Sequence, residues 1–218
     1  MANTIFEALK IPSGERLPLE FYTRTDVVQV ARELLGKILV TEFDGLRTAG
    51  RITETEAYRA PDDRASHAFG NRRTARTEVM FQEGGRAYIY LCYGMHHLFN
   101  VVTAPEHTAH AVLIRAIEPI EGVEVMLHRR KRTTNNFQQT TTLTTGPGAL
   151  AQALGLTTKW TGQSFFSPDS PIWIEDRGEK IFEKDIVAGK RIGVDYAGEC
   201  AEWPWRFWLK NSPFVKKR

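Results

Sequence analysis

A chain of 218 residues is long enough to bury one substantial core, and nothing in its composition requires two domains. Hydrophobic content of 42% with charged content of 25% is that of an ordinary globular protein, and no apolar run approaches the length of a membrane span. Net charge is only +3, which excludes a strongly polybasic or polyacidic chain, although the basic residues are unevenly placed. Arg64, Arg72, Arg73, Arg76 and Arg86 crowd one segment, Arg129, Arg130, Lys131 and Arg132 form a second, and Lys216, Lys217 and Arg218 end the chain. Such clusters suit either a phosphate backbone or a solvated surface. The first fourteen residues lack the basic-then-apolar layout of a signal peptide, and Cys92 and Cys200 match no metal or redox spacing. A reducing cytoplasmic location is therefore expected.

In chain order, Thr25 or Asp26 caps a helix whose Val27, Ala31, Leu34 and Leu35 form an apolar stripe, closed by Gly36. Residues 37–42 and 46–58 read as strands joined through Asp44-Gly45, a dipeptide that favours a tight hairpin. Residues 59–77 carry Pro61, Gly70 and many charges and read as a long loop, a feature that is often functional. Residues 87–92 and 98–103 look like a second hairpin turning at Tyr93-Gly94-Met95-His96, and residues 109–117 like a central strand, apolar on both faces. A helix is expected over 120–130. Residues 133–145 read as a mobile threonine-rich loop, of which 140–145 can extend as a strand. Gly146-Pro147-Gly148 leads into a short helix over 149–154, and later strands are expected at 172–175, 191–196 and 207–210. The expectation is a single mixed α/β (α+β) domain over 1–218, dominated by antiparallel hairpins, with residues 1–18 as a peripheral segment.

The most informative stretch is Arg51-Ile52-Thr53-Glu54-Thr55-Glu56-Ala57-Tyr58. Strand side chains alternate, so Ile52, Glu54, Glu56 and Tyr58 are expected on one face. A carboxylate and an aromatic aimed at one spot suit a site that sandwiches something flat and deprotonates something nearby; the plain alternative is an edge strand with solvated glutamates. Arg115 interrupts the apolar run Ala111-Val112-Leu113-Ile114, and a charge in a central strand needs a carboxylate partner. Glu56 is the leading candidate, with Glu54 or Glu118 as alternatives. Tyr88 and Tyr90 share a face and one of them belongs to the core, whereas Tyr93 at the hairpin tip can project as a wedge. Glu54, Glu56, Asp62, Asp63 and His67 lie close in sequence but match no metal-ligand spacing. No lysine stands between Lys37 and Lys131, so this aromatic-rich region offers no side-chain amine for a Schiff base.

Taken in order, Glu54-Thr55-Glu56-Ala57-Tyr58, Asp63-Arg64-Ala65-Ser66-His67-Ala68, Met80-Phe81, Tyr88-Ile89-Tyr90-Leu91-Cys92-Tyr93-Gly94-Met95 with Asn100, and Val112-Leu113-Ile114-Arg115-Ala116 resemble the alkyladenine (3-methyladenine) DNA glycosylase family. The similarity continues through Gly146-Pro147 with Leu150-Ala151-Gln152-Ala153-Leu154, and through Arg191-Ile192-Gly193-Val194 with Ala197-Gly198-Glu199. Each motif alone is weak, and the ordered set, covering about residues 19–213, is specific. The resemblance implies a curved, mainly antiparallel sheet with a β-hairpin wedge and surrounding helices. It implies Glu56 as the base that activates water, with the Arg115 side chain and the Ile192 carbonyl holding that water. Tyr58, Tyr90 and His67 correspond to walls around an extruded base, Tyr93 to the wedge, and Asn100 to a residue that disfavours guanine's exocyclic amine. Backbone groups near Ala65 and His67 are expected to serve a neutral lesion such as hypoxanthine. The partner implied is double-stranded DNA containing damaged purines, met by Arg72, Arg73, Arg76 and Arg130 along its backbone. The implied protein is a monomer without cofactor, metal or membrane attachment, cytoplasmic and, in a bacterium, nucleoid-associated. A non-catalytic damaged-DNA-binding protein and a metal-dependent nuclease are the competing readings. The chain departs from the family pattern at Thr74-Ala75-Arg76-Thr77, at Gly148-Ala149 and at Cys200, while every implied catalytic position is intact.

Overall fold

A long bent strand organises the molecule. The computed structural model describes residues 14–132 and 141–216. Within them β1 (Glu15–Arg16), α1 (Leu19–Tyr22) and α2 (Val27–Glu33) lead to the hairpin β2 (Ile38–Phe43) and β3 (Leu46–Arg59). A loop with two short 3-10 turns, Phe69–Asn71 and Glu78–Phe81, connects to β4 (Arg86–Cys92), β5 (His96–Thr103) and β6 (His110–Glu121). Then come α3 (Val123–Arg129), α4 (Pro147–Leu154), β7 (Ile172–Asp176), β8 (Ile186–Gly189) and β9 (Arg206–Leu209). The strands form one curved sheet in the order β1-β7-β2-β3-β6-β5-β4, with β9 added to β3 and β8 to β9. Every ladder is antiparallel.

Alternation along the strands divides the sheet into two faces. Ala57, Ala87, Ile89, Phe99, Val101, Val112 and Ile114 turn to one side and build the main core with α2 and α4. The α2 N-terminus is capped as its sequence suggests, Asp26 Oδ1 accepting from Gln29 N–H at 3.0 Å. Thr55 Oγ1 donates to the Ala31 carbonyl at 2.8 Å and pins this helix to β3. The opposite face carries Tyr88, Val102 and Ala111, covered by Val79, Met80 and Phe81 from the long loop.

Several expectations need correction. Between Ile52↔Ile117 and Glu54↔Ala116 the register shifts, so β3 carries a bulge at Thr53. The extra residue turns Ile52 into the main core beside Ala57, away from Glu54 and Glu56. Residues 191–196 form no strand: Gly193 has φ +76° and the chain then winds into the 3-10 segment Asp195–Glu202. The helix expected over 120–130 begins later, because β6 runs on to Glu121 and Gly122 adopts φ +68° before α3. A Cβ at Gly122 would lie 2.3 Å from the Arg47 carbonyl oxygen, so only glycine fits that corner. Thr145 bridges Ala116 singly and no strand covers 141–145, while 133–140 lies outside the described residues. Residues 1–13 are likewise outside them, whereas Glu15 and Arg16 pair with β7 and Leu17 is buried.

Candidate active site

Register places four side chains in one row across the sheet. Tyr88 is opposite Asn100, Asn100 opposite Leu113, and Leu113 opposite Glu56. Directly opposed residues of an antiparallel ladder share a face, so this row crosses four strands, roughly 14 Å, on the side away from the main core. Arg115 lies two residues beyond Leu113 and Tyr58 two beyond Glu56, on the same face. A cavity of about 360 Å³ opens over the row. Its size falls at the small end of the ligand-site range of about 300–1,000 Å³.

Glu56 is wholly buried, in contact with Tyr58, Arg115 and Ile192, which line the cavity. Its Oε1 accepts from the Ile192 backbone N–H at 2.8 Å, and its Oε2 accepts from the Tyr58 hydroxyl at 2.8 Å and from Arg115 Nη1 at 3.2 Å. Burial pushes the Glu56 carboxyl above the ordinary carboxylate value, while Arg115, the Ile192 N–H and the Tyr58 hydroxyl pull the other way. The sequence reading anticipated only the arginine's pull; desolvation wins because the whole side chain is out of water. Burial and the neighbouring Glu56 hold Tyr58 well above a normal phenol, so it remains a donor.

Arg115 has two partners rather than one. Its Nε lies 2.8 Å from Glu54 Oε1, and Glu54 also accepts from Arg206 Nε at 2.6 Å. Glu118, the other candidate, pairs instead with Arg51. The acidic residues that cluster in sequence are thus dispersed among arginines in space: Glu54 and Glu56 with Arg115, Asp62 with Arg59, and Asp63 with Arg191. Arg206 was not anticipated as part of the site, although its position opposite Glu56 on β9 puts it there.

Arg191 and Asp63, also unanticipated, join the two loops that enclose the site. Arg191 Nη2 donates to Asp63 Oδ1 at 2.8 Å and to the Cys200 carbonyl at 2.9 Å, and Nη1 reaches the Ala57 carbonyl at 2.9 Å. The guanidinium carbon also lies 4.8 Å from the Tyr58 ring centroid, which backs that wall. No sequence signal marked the pair, since Asp63 stands among Asp62 and Arg64, Arg191 follows Lys190, and 128 residues separate the two.

The remaining walls are aromatic. His67 meets Tyr90 edge-to-face at 4.6 Å and its Nδ1 lies 2.7 Å from the Tyr88 hydroxyl. Tyr88 is the core tyrosine and Tyr90 is half-buried at the cavity. Burial, then the charge of Arg76, brings the His67 imidazole down to about 4, so it is neutral near pH 7. Asn100 is buried and donates through Nδ2 to the Tyr88 carbonyl at 3.0 Å, while also lining the cavity. Ala65 lines it too, its N–H bonded to Asp63 Oδ1 at 3.0 Å. Tyr93 is 89% exposed at the turn between β4 and β5, with φ +52°, a strained value for a bulky residue.

The basic clusters divide. Arg72 is exposed, Arg73 pairs with Glu78 at 2.6 Å, and Arg130 donates to Gln152 Oε1 at 2.8 Å. Arg76 instead turns towards the aromatic wall, its guanidinium carbon 4.8 Å from the Tyr90 ring centroid. The departures are accommodated: Cys200 is buried beside Ala65 and Val194, and Thr74 and Thr77 hydrogen-bond one another across a tight turn.

A buried carboxylate beneath an aromatic cavity has the chemistry to act on a flat, π-rich ligand. The sequence matches the family model described as methylpurine-DNA glycosylase over residues 20–213, and the chain belongs to that family. It is 48% identical over 203 residues to a protein of Bacillus cereus (strain G9842) named "Putative 3-methyladenine DNA glycosylase", covering 92% of this chain and 98% of the relative. A Bacillus thuringiensis (strain Al Hakam) protein of the same name is 47% identical over the same shares.

Proposed function

We propose that this protein is a base-excision repair glycosylase that extrudes alkylated or deaminated purines from duplex DNA and hydrolyses their N-glycosidic bond. The observation that carries the reading is Glu56: a fully buried carboxylate held by Tyr58, Arg115 and Ile192, three residues that line a cavity also walled by Tyr90 and His67. A raised pKa brings a general base closer to the working pH, where it still ionises and takes a proton more readily. Glu56 removes a proton from water as the water attacks the anomeric carbon, through an oxocarbenium-like transition state. The glycosidic electron pair leaves with the base. Arg115 and the Ile192 carbonyl orient that water, and the Arg115 charge stabilises Glu56 in its ionised form.

N3- or N7-alkylated purines are cationic and leave without further protonation, and the electron-rich faces of Tyr58 and Tyr90 attract them by about 0.5–2 kcal/mol. A neutral base such as hypoxanthine needs a hydrogen bond at N7. The Ala65 N–H is already given to Asp63, whereas the His67 backbone N–H has no acceptor among the described residues, so it is the donor to N7. Extrusion costs a few kcal/mol, least for lesions that already pair badly. Tyr93, projecting from its hairpin, fills the space left in the duplex. Arg72, Arg73 and Arg130 follow the phosphates, each neutralised phosphate adding about −0.9 to the slope of log affinity against log salt. Asn100 excludes the guanine amine.

The test uses duplex oligonucleotides bearing hypoxanthine, ethenoadenine or an alkylated purine, with alkali to reveal abasic sites. Base release that survives EDTA and leaves no borohydride-trapped adduct supports a monofunctional glycosylase. Lesion binding without release would favour the non-catalytic DNA-binding alternative, and EDTA-sensitive strand cleavage a nuclease.

A further inference from the structure

Arg76 stands in an unusual place for a surface arginine. Its guanidinium lies over the Tyr90 ring, 4.8 Å from the centroid, and its Nη2 is 3.2 and 3.4 Å from the two ring nitrogens of His67. The side chain is carried there by a braced turn: Thr74 N–H donates to Thr77 Oγ1 at 2.9 Å, Thr77 N–H to Thr74 Oγ1 at 3.3 Å, and Thr77 Oγ1 to the Arg72 carbonyl at 3.0 Å. Tyr90 and His67 line the cavity and Arg76 does not, so the cation rests against the wall from outside. Its ion-pair options are poor, because Glu78, the nearest acid in sequence, is taken by Arg73.

We propose that Arg76 is a specificity-determining residue whose charge behind the Tyr90–His67 wall biases the cavity towards uncharged lesion bases over cationic ones. The inference rests on the glycosylase reading above. Two effects act in the same direction. The ring quadrupole of Tyr90 is already engaged by one cation, which weakens its pull on a second across the ring. A like charge on the far side of a wall one ring thick raises the energy of a cationic base in a partly dry site. A neutral deaminated or etheno base meets neither. The bias is one of degree: cationic purines leave more easily once bound, and Arg76 taxes their binding and not their departure.

Arg76→Gln removes the charge while keeping a polar side chain of similar reach, and Arg76→Lys keeps the charge. Single-turnover kcat/KM is measured for base release from a 3-methyladenine duplex, whose lesion is cationic, and from a hypoxanthine duplex, whose lesion is neutral. The ratio of cationic to neutral release should rise about two- to fivefold in Arg76→Gln, the range of an exposed cation–π contact. It should stay at the parent value in Arg76→Lys. A ratio unchanged in Arg76→Gln overturns the proposal, as does a fall in both rates together, which would make Arg76 a phosphate contact or a structural brace. If the unaltered protein releases neither base, it is the glycosylase reading that fails, and this inference falls with it.

Discussion

Glu54 and Glu56 draw on one guanidinium, that of Arg115, whose Nε lies 2.8 Å from Glu54 and whose Nη1 lies 3.2 Å from Glu56. Arg206 supplies Glu54 with a second cation, so Arg115 is not consumed by Glu54 alone. The Arg115 charge favours the ionised form of Glu56, although burial opposes it and prevails.

The acid limb of base release should report this balance. Under the proposed mechanism activity requires ionised Glu56, so the rate should fall as pH drops through a midpoint above the ordinary carboxylate value of 4.5. Arg115 lowers that midpoint, and Arg115→Gln should move it upward by about one unit or more, the effect of losing a close opposite charge. Single-turnover rates across pH read the shift; an unmoved or lowered midpoint would detach Arg115 from Glu56.

Asp63 and Arg191 have fully buried side chains joined directly to each other. Removing one partner strands the other charge, so Asp63→Ala should destabilise the fold by about 3–5 kcal/mol. Urea denaturation checks this. Because the pair joins the loop bearing His67 to that bearing Ile192, base release should fall as well, even under conditions where the variant is folded.

Tyr93 contributes almost nothing to the core, and its left-handed backbone favours glycine. Tyr93→Gly should therefore melt within a few degrees of the parent or slightly above it, while turnover on duplex DNA drops at least about tenfold as the extruded state loses its support. Turnover at the parent rate would show that the hairpin tip is not a wedge.

Asn100 both lines the cavity and bonds the Tyr88 carbonyl, so two roles compete at one residue. Asn100→Ser should raise guanine release relative to hypoxanthine, as the penalty on guanine's exocyclic amine, about 1–3 kcal/mol for an unpaired buried group, is partly lifted. A constant rate ratio in a folded but destabilised variant would assign Asn100 to the backbone alone.

What the sequence made legible follows the range of its signals. Period-two alternation exposed Glu56 with Tyr58 and Tyr88 with Tyr90, because strand geometry is local, and Arg115 stood out as a charge within an otherwise apolar run. Asp44-Gly45 and Tyr93-Gly94 marked both hairpins for the same reason. Alternation failed at Thr53, where a bulge turns Ile52 into the core; a bulge is set by the partner strands and leaves no periodic trace. The run 191–196 is rich in strand formers, yet the Ile192 N–H goes to Glu56 and not to a neighbouring strand, a tertiary contact that outweighs propensity. The pairs Arg191–Asp63 and Arg206–Glu54 span 128 and 152 residues, and nothing in one sequence links such positions.

The central claim is that Glu56 is the base that activates water, and Glu56→Gln tests it most directly. Glutamine keeps the shape and cannot ionise. Since burial raises the folded-state pKa, the ionised carboxylate costs stability above pH 4.5, and the cost is complete once pH exceeds the folded value. The variant should thus be at least as stable as the parent at pH 8, with the gap closing below pH 4.5. The decisive measurement is single-turnover base release from a hypoxanthine duplex at pH 8, beside binding to the same duplex. The account predicts release reduced by about a hundredfold or more with binding retained. Release near the parent rate would contradict it.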